Sequence, residues 1–209
     1  MPIEELIFVR HGQTEWNVEG RFQGRGDSPL TPLGHQQVAA HLRWLPTRRP
    51  ERLLASPLGR ARATAELLAA ELGLKVETDE RLMERSMGRF EGWTLAEVAT
   101  REPEHNQARG EDPWAHRPPG GENYDDLLGR VSPLVDELLA ATERSILVVS
   151  HGTLGRVLLG SVLELDAATM LRTRLPNSVA YVVRLDGRAA TVLRFDDGMG
   201  PEQGLLMYD

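Results

Sequence analysis

Leu6-Ile7-Phe8-Val9-Arg10-His11-Gly12 and Ile146-Leu147-Val148-Val149-Ser150-His151-Gly152 are the two stretches whose reading decides the fold. Each is a continuous apolar run that ends in a histidine and a glycine. Continuous runs of this length fit strands buried on both faces, as in a parallel sheet. In an open α/β sheet, ligands bind outside the carboxyl ends of parallel strands, so two histidines leaving two such strands face one crevice. A single His-Gly is explained by a turn in which glycine adopts φ > 0. Two of them, with Arg10 beside the first, point to a site.

Composition narrows the class. The 209 residues suit one domain, 1–209, and no Pro/Gly/Ser-rich linker divides them. With 41 % hydrophobic residues in several separate runs, a sizeable core is expected. The absence of cysteine excludes disulfides and thiol catalysis. The start, Met1-Pro2-Ile3-Glu4-Glu5, has neither the basic residues nor the apolar stretch of a signal peptide, and no run reaches membrane-spanning length. A cytoplasmic protein without a membrane partner is expected. The net charge of -7 argues against a nucleic-acid surface, yet 24 Lys+Arg, mostly arginine, leave room for a local anion site.

Along the chain, a first strand at about 4–10 leads into a polar loop bearing Gly12, Gly20, Gly24 and Gly26, long for an idle connection. Thr31-Pro32 reads as an N-cap and first helical residue, followed by the apolar face Val38, Ala39, Leu42 and Leu45. A short strand at 52–55 precedes Ser56-Pro57, read the same way, and the stripe Leu58, Ala61, Ala65, Leu68 and Leu72 closed by Gly73. A short strand is expected at 76–78. Residues 88–121 read as irregular apart from one helix near 94–101, and as covering the site. Leu127, Val131, Leu134 and Leu138 mark a long helix before the strand at 145–149, and another helix begins near Thr153. Runs at 179–185 and 191–195, separated by Asp186-Gly187-Arg188, predict a closing hairpin. The fold class is α/β with a mostly parallel sheet.

Several chemistries are excluded by motif: there is no Gly-x-x-x-x-Gly-Lys loop, dinucleotide fingerprint, Gly-x-Ser-x-Gly elbow or His-Glu-x-x-His. His35, His41, His105 and His116 show no ligand spacing and read as surface residues, so neither metal nor cofactor is expected. What remains is Arg10, His11 and Asn17 in the first loop, Arg60 about one turn into the second helix, and His151. This set suits phosphate: arginine forks match phosphate oxygens, fixed donors stabilise charge on a transferring phosphoryl group, and helix N-termini near Pro57 and Thr153 would add N–H groups. Taken alone, Arg60 reads as a solvated helix arginine; within its motif it reads as functional.

Arg10-His11-Gly12-Gln13-Thr14-Glu15-Trp16-Asn17, Gly20-Arg21-Phe22-Gln23-Gly24 and Asp27-Ser28-Pro29-Leu30-Thr31-Pro32-Leu33-Gly34 resemble the opening of the histidine phosphatase superfamily, phosphoglycerate mutase-like branch. Ser56-Pro57-Leu58-Gly59-Arg60-Ala61-Arg62-Ala63-Thr64-Ala65, Leu82-Met83-Glu84 with Gly88 and Glu91-Gly92, Pro119-Gly120-Gly121-Glu122, Ser150-His151-Gly152 and Asn177-Ser178 resemble its later blocks in order. The resemblance spans essentially the whole chain. It implies a three-layer α/β/α sandwich, His11 as the nucleophile that becomes phosphohistidine, and Arg10, Arg60 and His151 as holders of the phosphoryl oxygens. It implies that Asn17 binds the same group, that Gln23, Gly24 and Gly152 lie near the substrate, and that Glu84 serves as acid and then base. Trp16 reads as a wall or core residue, and Asn177 and Ser178 as supports.

The resemblance covers both phosphatases and mutases. Mutases read Glu-Arg-His-Tyr-Gly where this chain reads Glu84-Arg85-Ser86-Met87-Gly88, and carry a longer basic insertion before the second histidine. Here 67 positions separate Glu84 from His151, no adjacent arginine pair lies between them, and Thr153 stands where mutases commonly have asparagine. These departures favour hydrolysis: a metal-independent, histidine acid phosphatase-type phosphomonoesterase acting on a small phosphorylated metabolite, a sugar phosphate or phosphoglycerate derivative. A cofactor-dependent phosphoglycerate mutase is the alternative, and a non-catalytic phosphate-ligand or protein-binding module a distant third. Specificity is expected from the variable segment 85–122, where Arg85, Arg89, Arg109 and Arg117 are candidates for a second anionic group. A homodimer is among the assemblies that the resemblance allows.

Overall fold

In the computed structural model, which describes residues 3–187 and 189–208, the first apolar run lies within strand β1, Glu5–Arg10. Neighbouring strand side chains point to opposite faces, and both faces are covered. Leu6 and Phe8 join one apolar cluster, Ile7 and Val9 the other. Strand β4, Ser145–Ser150, divides in the same way, with Ile146 and Val148 on the first side and Leu147 and Val149 on the second. Two covered faces are why these strands read as unbroken runs. β1 and β4 are parallel neighbours in a register that sets Arg10 opposite Ser150. His11 and His151 therefore leave the sheet side by side.

Strands β2, Arg52–Ala55, and β3, Val76–Thr78, continue the parallel part beyond β4. On the other side of β1, strands β5, Val179–Asp186, β6, Ala189–Asp196, and β7, Met199–Gln203, run antiparallel to their neighbours. The order is β3-β2-β4-β1-β5-β6-β7. The hairpin was expected to close the fold, and β7 extends it. Its five residues are all exposed and include Gly200 and Pro201, so backbone pairing with β6 and the Arg194–Glu202 ion pair tie it to the sheet, and no apolar alternation announces it. Arg188, part of the expected hairpin turn, and the first two residues of the chain lie outside the described residues.

Helices α1, Glu15–Val18, α2, Pro32–His41, α3, Leu45–Arg48, and α4, Gly59–Leu72, precede β3. Val38, Leu45, Ala61, Ala65 and Leu68 place α2, α3 and α4 on the face of Ile7 and Val9. Helices α5, Leu95–Arg101, and α6, Pro103–Glu111, lie within the variable segment. Helices α7, Tyr124–Leu139, α8, Gly152–Val162, and α9, Ala167–Arg172, follow. α7 and α8 cover the opposite face through Leu127, Val131, Leu134, Leu154 and Leu158, completing a three-layer α/β/α sandwich. The N-cap reading holds for α2, where Thr31 Oγ1 accepts the Gly34 N–H at 3.0 Å. The unannounced helices have physical reasons to be silent. α6 buries none of its residues and so lacks an apolar stripe, and α9 is too short to show one.

Two of the four histidines read as surface residues are buried: His41 is 1 % exposed and His116 8 %. His41 sits at the end of α2, edge-on to Trp44, with neither ring nitrogen hydrogen-bonded among the described residues. Burial lowers its pKa from 6.5 to about 4. Above pH 6.5 both folded and unfolded chains hold this imidazole neutral. Below that the unfolded chain takes up a proton that the folded chain refuses, so stability falls with pH between about 6.5 and 4. The full shift corresponds to roughly 3 kcal/mol. Denaturant titrations at pH 7 and 4.5 are expected to show this loss, and His41→Leu to reduce it. An unchanged pH slope in the variant would show that His41 is not responsible.

Candidate active site

The register that pairs Arg10 with Ser150 is extended by one bond, His11 N–H donating to the Ser150 carbonyl at 2.9 Å. Gly12 then lies so close to the α2 amino end that a Cβ would meet the Gly34 carbonyl carbon at 3.0 Å. Close backbone approach, and not a left-handed φ, is what requires glycine at position 12. The Gly12 N–H donates to Thr64 Oγ1 on α4 at 3.1 Å, and Asn177 Nδ2 donates to the His11 carbonyl at 2.7 Å. The loop is thus held by α2, α4 and the segment before β5.

The His11 ring is oriented from both ends. Nδ1–H donates to the Gly12 carbonyl at 2.8 Å, which leaves the Nε2 lone pair to accept from Arg60 Nε at 3.2 Å. Burial first, then the Arg10 and Arg60 cations, hold the His11 pKa well below the usual imidazole value. Burial and the same two arginines, together with His11, do the same at His151. The two rings are 5.2 Å apart. His151 is fully buried, with Nε2 2.8 Å from Ser56 Oγ and Nδ1 without a hydrogen-bond partner among the described residues.

This bond corrects the reading of Ser56-Pro57. Helix α4 begins at Gly59 with Leu58 at the N-cap, so Pro57 stands outside it and Arg60 is the second helical residue, not one a turn further in. Ser56 Oγ contacts His151 in place of helix N–H groups beyond Leu58. The α4 amino end is served instead by Asp27, whose Oδ1 accepts the Arg60 backbone N–H at 3.2 Å and Nη1 at 3.3 Å. Arg60 is 2 % exposed and also donates to the Gly26 carbonyl at 2.6 Å and the Gly24 carbonyl at 2.8 Å. Desolvation lowers its pKa, partly countered by Glu84 and Asp27.

Glu84 follows the short 3₁₀ turn Glu80–Leu82 and is half-buried, not an exposed loop residue. Its Oε1 accepts the Leu154 N–H at 2.9 Å and its own neighbour's, Arg85, at 2.8 Å, while Oε2 accepts the Thr153 N–H at 3.0 Å. The first N–H groups of α8, expected to face the ligand, are therefore engaged by a carboxylate. A carboxylate at a helix amino end is stabilised by the partial positive charge there. Arg130 on α7 donates from Nη1 to the Arg81 and Met83 carbonyls, both at 2.8 Å, and so anchors the turn that presents Glu84.

Arg10, His11, Asn17, Gln23, Gly24, Arg60 and Glu84 line one cavity of about 130 Å³, together with Arg21, Phe22, Arg85, Met87 and Thr153. His151 is not among the lining groups; its buried ring stands beside that of His11. Gly152 lines a neighbouring cavity, packed so tightly on Arg10 that a Cβ would lie 3.1 Å from its guanidinium carbon. Asn17 closes the capping box of α1, its Oδ1 accepting the Thr14 N–H at 3.1 Å, which leaves the amide nitrogen as its remaining polar atom. Gln23 Oε1 accepts from Ser28 Oγ at 3.4 Å. Gly24 has φ +51° and faces the Glu91 side chain. Trp16 is half-buried against Gly26 and Gly92, a wall of the loop and not of the cavity. Ser178 Oγ donates to Asp196 at 2.9 Å.

Of the variable-segment arginines, Arg89 pairs with Glu102 and Arg117 with Asp126. Arg109 does not line the cavity. Arg85 does, held by the Glu122 carbonyl at 2.7 Å and the His116 carbonyl at 2.6 Å, over the Tyr124 ring. Among the described residues, no three His, Asp or Glu side chains stand close enough to hold a metal ion. Asp27, Ser56 and Arg130 were not picked out from sequence as site residues, although the first two stand inside the quoted blocks.

Asp27→Ala removes the acceptor at the α4 amino end and the only carboxylate on Arg60 among the described residues. Loss of such a cap costs about 0.5–2 kcal/mol. A lower melting temperature and a several-fold higher KM for a phosphoester are expected together. An unchanged KM would show that Arg60 needs no help from Asp27.

The profile of the histidine phosphatase superfamily (branch 1) matches residues 6–198. A Mycobacterium tuberculosis protein named as bifunctional is 38 % identical over 197 residues, 93 % of this chain and 54 % of that protein, so the chain spans about half the length of that relative. Glucosyl-3-phosphoglycerate phosphatase of the same organism is 37 % identical over 178 residues, 80 % of this chain and 79 % of that one. A solved structure of the mycobacterial phosphatase with VO3 aligns at a TM-score of 0.77 and 33 % identity, covering 92 % of this chain and 98 % of that chain. A Proteus mirabilis protein named "probable phosphoglycerate mutase GpmB" is 37 % identical over 174 residues, 83 % of this chain and 81 % of that one.

Proposed function

The chain belongs to the histidine phosphatase superfamily, and from that premise we propose that it is a metal-independent phosphomonoesterase of the histidine acid phosphatase type, working through phosphohistidine on His11. The observation that carries this reading is the His11 ring, with its Nδ1 tautomer set by the Gly12 carbonyl and its Nε2 lone pair in a cavity lined by Arg10 and Arg60. Incoming phosphate takes over the Arg60 donors, and Nε2 attacks phosphorus as the P–O bond to the leaving group breaks. Arg10, Arg60 and the Asn17 amide hold the non-bridging oxygens, with the His151 ring beside that of His11, Gln23 and Gly24 beside the group, and Gly152 against Arg10. Glu84 gives a proton to the leaving oxygen, then takes one from the water that attacks the phosphohistidine, and phosphate departs. To act as the acid, Glu84 must carry a proton and yield one of its three N–H bonds.

The substrate class is a small phosphorylated metabolite. The name of the M. tuberculosis relative supports a phosphoglycerate derivative, and the small cavity supports a compact phosphoester over a macromolecule. The mutase reading is weakened by Met87, which lines the cavity where the mutase pattern has tyrosine, and by a short segment 85–122 without a paired-arginine insertion. Arg85 remains the variable-segment cation placed to meet a second polar group of the substrate. The variable segment 85–122 is read as the specificity region of one domain, 1–209.

Purified protein is expected to hydrolyse p-nitrophenyl phosphate in excess chelator. With 3-phosphoglycerate, released phosphate is expected to exceed any 2-phosphoglycerate formed. Activity that returns only with a divalent metal, or isomerisation that dominates release, would overturn the respective part of the reading.

A further inference from the structure

Beside the catalytic cavity lies a second one of about 220 Å³, lined by Arg10, Gly152, Arg156, Arg174, Leu175, Pro176, Asn177 and Tyr208. It carries three guanidinium groups, and among the described residues no carboxylate pairs with any of them. Arg10 gives Nη1 to the Leu175 carbonyl at 2.9 Å and Arg156 gives Nη1 to the Leu171 carbonyl at 3.0 Å. The Nε atoms of both are buried with no acceptor among the described residues. Arg156 and Arg174 lie 5.8 and 5.0 Å from the Tyr208 ring centre, and Tyr208 is held in place by its N–H to the Arg172 carbonyl at 2.7 Å.

Like charges gathered around one cavity repel, and a buried charged donor without an acceptor carries its desolvation cost unreturned. Stacking on an aromatic ring leaves the N–H edges of a guanidinium free to bind. All of these costs are relieved by one occupant: a small oxyanion with several acceptor atoms. We propose that this cavity is an anion subsite for inorganic phosphate, separate from the phosphoryl pocket and coupled to it through Arg10, which lines both. Phosphate bound there draws on the Arg10 donors and opposes negative charge on the phosphoryl group beyond. Product thus slows turnover from a second position. The coupling rests on the phosphatase reading, whereas the binding does not.

Phosphate released last from a phosphohistidine cycle competes with substrate for the free enzyme and by itself leaves kcat unchanged. Wild-type protein is therefore expected to show both a raised KM and a lowered kcat as phosphate is added, against chloride at equal ionic strength. Equilibrium titration with phosphate should give two sites per chain. Arg174→Gln and Arg156→Gln, which leave the phosphoryl pocket intact, are expected to keep turnover without added phosphate, keep the competitive effect, and weaken the second site about tenfold or more. One phosphate per chain in folded wild-type protein overturns the subsite. So does a second site that both variants retain, or a fall in kcat that chloride reproduces. Failure to hydrolyse any phosphoester would overturn the proposed activity instead, and the titration would still report the subsite.

Discussion

His11→Ala is expected to lower p-nitrophenyl phosphate turnover by more than about 10⁴-fold, since loss of a covalent nucleophile removes the pathway and not merely one stabilising contact. The fold should survive. His11 follows β1, and its backbone bonds to Ser150 and from Asn177 do not involve the ring. The imidazole is a buried base with a depressed pKa, so its removal takes away one source of acid destabilisation. Phosphate should still bind, because Arg10 and Arg60 remain. Rapid acid-free quenching of wild-type protein with labelled substrate should trap phosphate on His11, and none should be trapped in the variant. Phosphate on a serine or aspartate, or turnover that survives in the variant, would falsify the nucleophile assignment.

Glu84→Gln is expected to slow phosphohistidine formation from alkyl phosphates by roughly 10²–10⁴-fold, the usual scale for loss of a general acid. p-Nitrophenyl phosphate should suffer far less in that step, because its leaving group needs little protonation. Dephosphorylation should slow for both esters, since the same carboxylate activates water, so steady-state rates blend the two effects. Single-turnover formation of the intermediate separates them. The glutamine also presents an NH₂ where the carboxylate received N–H bonds from Thr153 and Leu154, so a lower melting temperature is expected. Unchanged formation from alkyl esters in a folded variant would show that Glu84 is not the acid.

What the chain alone made legible is local or periodic. The runs at 6–9 and 146–149 announced buried parallel strands because both of their faces are covered, and the histidines that follow them leave the sheet side by side, although only His11 lines the cavity. The Thr31-Pro32 start of α2 and the Leu127, Val131, Leu134 and Leu138 stripe were equally readable, since capping and the helical period act within a few residues. Ordered motif blocks carried Arg10, His11, Asn17, Gln23, Gly24, Arg60, Glu84, His151 and Gly152 into one list. Seven of these nine line one cavity in the fold.

Partnership across the chain had no such signal. That Ser56 holds His151, that Asp27 and Glu84 occupy the amino ends of α4 and α8, and that Arg130 braces the Glu84 turn are contacts between residues 33 to 95 positions apart. The exposed α6 and β7 were silent because neither buries an apolar side chain. Burial of His41 and the three-arginine cavity at Arg10 likewise depend on which elements pack together. The sequence by itself determined the family and the strand pair and named the candidate site residues, because these are written in short-range pattern and order. Only the tertiary structure decided which donors remain free, which charges are paired and where a second anion fits, because those depend on distances that the packing of the three layers creates.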